Sequence, residues 1–188
     1  MTSGATLIWP RRFWLARHGR TAMNLAGLVQ GRLDPPLAPE GVADAERIAR
    51  QLAGCGVRCI ISSTLRRAME TGAIVAAHLG LPHHEDPRLA ERDWGPWEGA
   101  AGHLRPQMAD PPGAEPRAAL KDRVVAAVSD AMAAGLGEDT LFVAHAGVCR
   151  TVLELVGLDV AAPVAHDRAL LVETSAQRLR RATPSKRC

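Results

Sequence analysis

The sequence predicts an α/β domain with a mostly parallel central sheet and helices on both faces. Three observations predict it. Short apolar runs alternate with segments whose apolar residues recur at helical spacing. Gly and Pro punctuate most of the changes between them. The length, 188 residues, suits one domain spanning 1–188, with 1–11 and 181–188 as loose ends. Apolar residues make up 47% and charged residues 23%, an ordinary globular balance. With four Trp, two Phe and no Tyr, the core must rest on Leu, Val, Ile and Ala.

Phe13-Trp14-Leu15-Ala16 reads as a buried strand, and Arg17-His18-Gly19 opens the loop after it. Gly27, Gly31, Pro35, Pro36 and Pro39 make residues 19–39 mostly loop. From Pro39, the residues Val42, Ala45, Ile48 or Ala49, and Leu52 mark a helix that Gly54 and Gly56 stop. Residues 57–61 form a strand. Leu65, Ala68, Gly72, Val75 and Leu79 mark a second helix, ended by Gly80 and Pro82. Residues 83–116 are irregular. Leu120, Val124, Ala127 or Val128, and Ala131 mark a third helix. Residues 140–144 are a buried strand ending in His145-Ala146-Gly147, and Val148, Val152 and Leu155 mark the helix after it. Residues 169–172 form a last central strand, with 177–180 extending or pairing with it.

Several function classes are disfavoured. A net charge of +3 does not indicate a nucleic-acid binder, and the basic residues near both ends read as solubilising termini. Cys55, Cys59, Cys149 and Cys188 lack zinc-like spacing, and reduced thiols fit them. No apolar run reaches the roughly 18–20 residues that span a bilayer. Pro10-Arg11-Arg12 interrupts any signal-peptide core. The expectation is a cytoplasmic protein with no nucleic-acid or membrane partner; a homodimer is compatible with it.

In such sheets ligands bind beyond the carboxyl ends of the strands. Arg17-His18-Gly19, Ser62-Ser63 and His145-Ala146-Gly147 all follow apparent strands, so the architecture brings them to one edge. Imidazole is a good nucleophile near neutral pH, which makes His18 a candidate. Arg17 beside it suits phosphate oxygens, because guanidinium donors form a planar fork. Gly19 lets the backbone come close. Ser63 or Thr64 could cap the following helix, whose first turn carries Arg66 and Arg67. Releasing an alcohol from phosphorus needs a proton, and Glu91 beside Trp94 could supply it. Asp93 and Glu98 compete for that role. His145 could donate hydrogen bonds to a phosphate.

Together these segments resemble the histidine phosphatase superfamily, which includes cofactor-dependent phosphoglycerate mutases. The resemblance spans about residues 13–173. Its motifs stand in the family's order: Arg17-His18-Gly19 with Thr21 and Asn24; Ser62-Ser63-x-Leu65-x-Arg67-Ala68 with Thr71; Leu89-x-Glu91 with Gly95-x-Trp97-Glu98-Gly99; and His145-Ala146-Gly147. Gln30-Gly31 with Asp34, Pro36-Leu37 and Glu40-Gly41 also fits. The resemblance implies a three-layer α/β/α sandwich and a phosphohistidine on His18. Arg17, Arg67 and His145 would hold the phosphate, with Asn24 assisting; Gly19, Gln30, Gly31 and Ala146 would complete the phosphate-binding surface. Glu91 would protonate the leaving group and then activate water. No metal or other cofactor is implied.

Arg20 departs from the acidic residue usual in the mutases, Thr64 and Ala146 are smaller departures, and the stretch after Gly99 looks short, which implies an open site. The leading expectation is a phosphatase acting on a small phosphorylated metabolite. A phosphoglycerate mutase would have to exclude water from its intermediate, and the chain shows little lid material. A non-catalytic phospho-ligand binding protein is the third reading. A phosphoprotein phosphatase ranks below small-molecule hydrolysis.

Overall fold

The computed structural model describes residues 12–106, 108–136, 138–158 and 164–173. One sheet is built from β1 (Arg12–Arg17), β2 (Cys59–Ser62), β3 (His83–Glu85), β4 (Thr140–Ala144) and β5 (Ala169–Glu173). Their order is β3-β2-β4-β1-β5. Only β5 runs antiparallel to its neighbour, β1.

Strand periodicity sorts the core into two layers. Successive side chains point to opposite faces. Phe13 and Leu15 of β1, with Phe142 and Ala144 of β4, pack against Leu120, Val124 and Val128 of α4 (Arg117–Ala133) and Val148 and Val152 of α5 (Ala146–Leu155). Trp14 and Ala16, with Leu141 and Val143, pack against Ile48 and Leu52 of α2 (Pro39–Leu52) and Ala68 and Val75 of α3 (Arg66–Leu79). The central strands are buried on both faces, which is why they read as unbroken apolar runs. The three-layer architecture is the one expected.

Pro39 occupies the first turn of α2, where its missing N–H costs nothing. Gly80 closes α3 in a left-handed conformation, φ 67°. Some expectations change. Residues 83–116 are not wholly irregular. They hold the short strand β3, two of whose three residues are exposed and whose His-His-Glu sequence carries no apolar signal, and three short 3-10 turns. One helical turn, α1 (Ala22–Leu25), lies inside the expected loop. Neither Ser63 nor Thr64 caps α3. Its N-cap is Leu65, whose N–H donates to Ser63 Oγ at 3.1 Å, while Arg66 N donates to Asp34 Oδ1 at 2.6 Å.

Cys59 and Cys149 are free and buried, whereas Cys55 is disulfide-bonded, against the expectation of a reduced thiol there. The strand extension at 177–180 lies outside the described residues. Among the described residues, no helix is long and apolar enough to cross a membrane.

Candidate active site

β1, β2 and β4 are parallel, so their carboxyl ends share one edge and deliver Arg17, Ser62 and His145 to it. The loop leaving β1 is pinned there. His18 N donates to Ala144 O at 2.9 Å, and Gly19 N donates to Thr71 Oγ1 at 2.9 Å. A side chain at Gly19 would collide with the Gly41 carbonyl, so this loop can reach the start of α2 only as glycine.

The His18 ring is nearly enclosed, with 2% of the residue exposed. Its Nδ1 lies 2.7 Å from Gly19 O. A carbonyl only accepts, so Nδ1 carries the proton. Burial, and then Arg67 and Arg17, hold the ring well below its ordinary pKa, so it is neutral and Nε2 keeps its lone pair. The openness expected of the site therefore does not extend to this ring.

Arg67, fully buried in the first turn of α3, is clamped by two carbonyls. Nη1 donates to Leu33 O at 2.6 Å and Nη2 to Gly31 O at 2.8 Å. Its Nε donates to His18 Nε2 at 3.2 Å. Burial lowers its pKa to about 10, which leaves it charged at neutral pH. His145, the N-cap of α5, lies beside His18 with ring centroids 5.1 Å apart and the rings tilted by 54°. Burial, and then Arg67 and His18, push it well below the ordinary imidazole value. Among the described residues, four buried side-chain nitrogens lack a hydrogen-bond partner. Three of them are Arg17 Nε and both ring nitrogens of His145; the fourth is Trp97 Nε1. Unpaired buried polar atoms are costly and uncommon. Here three of the four cluster around one neutral histidine.

The three candidate carboxylates are sorted by their partners. Glu98 accepts from Arg32 N at 2.7 Å, Leu33 N at 3.2 Å and Trp94 N at 3.1 Å, so it ties two loops together. Asp93 accepts from Gly95 N at 2.7 Å within its own turn. Glu91 accepts from the adjacent Arg92 N at 2.8 Å and also reaches the edge, where both its oxygens accept from Gly147 N at 3.1 Å. A Cβ on Gly147 would strike the Glu91 carboxylate and displace it from this position.

The remaining expected residues act on the loop itself. Thr21 N donates to Asn24 Oδ1 at 3.1 Å, Asn24 N returns to Thr21 Oγ1 at 3.2 Å, and that hydroxyl donates to Gln30 Oε1 at 3.0 Å. Asn24 and Gln30 thus use their side-chain oxygens to fold the loop. Gly31 offers its carbonyl to Arg67, and Ala146 starts α5. Arg20, the departure from the acidic residue, pairs with the buried Asp44 through Nε at 2.7 Å and Nη2 at 2.8 Å.

Two residues were missed by sequence reading. His166 Nδ1 contacts His18 O at 2.6 Å, and the two rings meet edge-on with centroids 5.4 Å apart. Burial, and then Arg17, lower its pKa to about 4, so it is a neutral donor. The signal was topological. β5 runs antiparallel, so the residues just before it return to the edge that β1 leaves. Arg123 of α4 donates to the carbonyls of Arg88 at 2.6 Å, Ala90 at 2.5 Å and Glu91 at 3.1 Å, and its fork is held by Glu115 at 2.7 and 2.8 Å. It fixes the strand of backbone that carries Glu91.

Comparison with known proteins agrees with this geometry. "Bacillus stearothermophilus YhfR" superposes with a TM-score of 0.77 at 27% identity, covering 91% of this chain and 95% of that one. A mycobacterial glucosyl-3-phosphoglycerate phosphatase, solved in complex with VO3, superposes with a TM-score of 0.80 at 26% identity, covering 93% of this chain and 98% of that one. "Probable phosphoglycerate mutase GpmB" of Proteus mirabilis is 40% identical over 82 residues, 44% of this chain and 38% of that protein. The matched region is thus well under half the length of that relative. The sequence matches the Histidine phosphatase superfamily (branch 1) over residues 13–181, and the chain belongs to that superfamily.

Proposed function

We propose that the chain hydrolyses phosphate monoesters of small metabolites through a phosphohistidine on His18. One observation carries the reading. A neutral, buried imidazole, whose unprotonated Nε2 accepts from Arg67 Nε at 3.2 Å, is ringed by further groups that have no partner, Arg17 Nε and the His145 ring. A phosphoryl group supplies acceptors, and its charge is matched by Arg17 and Arg67. The mycobacterial phosphatase, a structural neighbour, was solved in complex with an oxyanion, VO3, which is consistent with this reading.

His18 Nε2 attacks phosphorus while the ester P–O bond breaks. The departing oxygen takes a proton from Glu91, which must begin protonated. The carboxylate so formed then takes a proton from water. That water attacks phosphorus, the P–N bond breaks, and the electron pair returns to Nε2. Throughout, Arg17, Arg67 and His145 face the equatorial oxygens, where charge accumulates. The guanidinium groups supply positive charge that a metal would otherwise provide. Hydrolysis is favoured over mutase-type transfer because the described part of 99–116 contributes only the 3-10 turn Gly102–Leu104 as regular structure, little with which to exclude water.

The test is p-nitrophenyl phosphate hydrolysis in excess EDTA. Wild type should turn over, and His18→Ala should lose at least about a thousandfold. Equal turnover in both proteins would assign the nucleophile elsewhere. Folded wild type that binds phosphate without turnover on a broad ester panel would favour the non-catalytic reading.

A further inference from the structure

A cavity of about 350 Å³ opens from Glu91, Ala146 and Gly147 and runs between α4 and α5. Its volume falls within the range of small-molecule sites. Its walls are strongly basic. Arg117 and Lys121 of α4 and Arg150 of α5 line it. None of the three forms an ion pair among the described residues. Arg66 and Arg50 each pair with the glutamate one helical turn away, yet Arg150, with Glu154 at the same spacing, does not. Nearer the catalytic edge, Arg92 and Arg105 lie over the Trp94 ring at 4.7 and 4.8 Å, a rigid wall that carries charge. Arg92 is paired with Asp110 at 2.9 Å, and against the other four cations the cavity has two carboxylates, Glu91 and Glu154.

The location gives this charge a meaning. The leaving oxygen must come within hydrogen-bond reach of the Glu91 carboxylate, so the alcohol half of the ester extends into whatever space adjoins Glu91. That space is the basic cavity. A cleft lined by one sign of charge concentrates the field within it and selects ligands of the opposite sign. We propose that this cavity binds the leaving-group half of the substrate, and that this half carries its own anionic group, a carboxylate or a second phosphate, met by Arg117, Lys121 and Arg150. The inference rests on Glu91 serving the leaving group, as set out above.

A matched set of esters tests it. Glycerol 3-phosphate and 3-phosphoglycerate differ at the far carbon, a neutral alcohol against a carboxylate; 1,3-propanediol bisphosphate places a second phosphate there. With the purified full chain, kcat/KM for at least one anionic ester should exceed that for glycerol 3-phosphate by tenfold or more. The better anionic ester identifies which group the cavity takes. In Arg150→Ala and in Lys121→Ala, both exposed positions, that ratio should fall at least tenfold in one or both. A wild-type ratio near one, or a ratio unchanged within twofold in both variants, overturns the proposal while leaving the phosphatase reading intact. No turnover of any of these esters or of p-nitrophenyl phosphate overturns the phosphatase reading and this inference with it.

Discussion

Two charged clusters flank the loop that leaves β1, and they are built on opposite plans. On one side Asp44, fully buried, accepts from the Arg20 backbone at 3.1 Å and from its guanidinium at 2.7 and 2.8 Å, with Arg47 completing the set. Its charges are matched inside the protein, and the Arg20 guanidinium holds the carboxyl below its ordinary pKa despite burial. On the other side Arg17, His18, Arg67 and His145 gather donors and positive charge around a neutral ring, and Arg17 Nε and His145 find no acceptor. The first cluster is complete by itself and holds α2 to the loop. The second leaves donors unmatched, and in the proposed mechanism a phosphoryl group meets them. Burial alone does not separate a structural charge from a functional one; the state of its partners does.

Four substitutions and a titration sharpen this contrast. Beyond the loss expected for His18→Ala, Glu91→Gln should lower kcat on alkyl phosphates by about 10²–10⁴-fold. It should cost less in the first step with p-nitrophenyl phosphate, whose leaving group needs little proton assistance; a pre-steady-state burst would show this. Equal effects on both first steps would argue that Glu91 is not the acid. Arg123→Lys should lower kcat by up to about a hundredfold with KM little changed. A lysine, with three donors at one point, cannot replace the five hydrogen bonds that the Arg123 fork makes to three carbonyls and Glu115, and small displacements of a catalytic group are expensive. An effect confined to KM would contradict a positioning role.

Asp44→Asn should do the reverse. It should cost about 2 kcal/mol of stability in denaturant unfolding and leave the folded enzyme active, because a charged hydrogen-bond network is lost away from the phosphate. Loss of activity without loss of stability would place the closed cluster in the mechanism.

The smallest effect concerns pH. His18, His145 and His166 all have folded pKa values below the ordinary 6.5, about 4 for His166. Below pH 6.5 the unfolded chain takes up protons that the folded chain refuses. Their stabilisation is therefore complete above pH 6.5 and is lost as pH falls through the folded values. Thermal unfolding should show stability declining from about pH 6.5 towards 4, with a shallower slope in His166→Asn. A slope unaffected by the substitution would mean that His166 is not a neutral donor to the His18 carbonyl.

Much of this was legible in the sequence. The buried strands announce themselves as apolar runs because both faces are covered, and residues 140–144 match β4 residue for residue. The edge strand β3 was not legible because His83-His84-Glu85 carries no burial signal. The candidate cluster was legible because each of its motifs stands at the end of a strand or the start of a helix. Choosing among Glu91, Asp93 and Glu98 needed the structure, since the three differ in partners rather than in residue type. His166 and Arg123 were illegible for another reason. Each acts on backbone carbonyls of a distant segment, and such contacts leave no local pattern.

The most direct measurement is to trap the intermediate. Enzyme mixed with excess p-nitrophenyl phosphate would be quenched in alkali, where a phosphohistidine survives, then digested and mapped by mass spectrometry. A phosphoryl group on His18, absent in His18→Ala and more abundant in Glu91→Gln, is the predicted result. No covalent phosphate under steady turnover, or phosphate on another residue such as Ser62 or Ser63, would contradict the account.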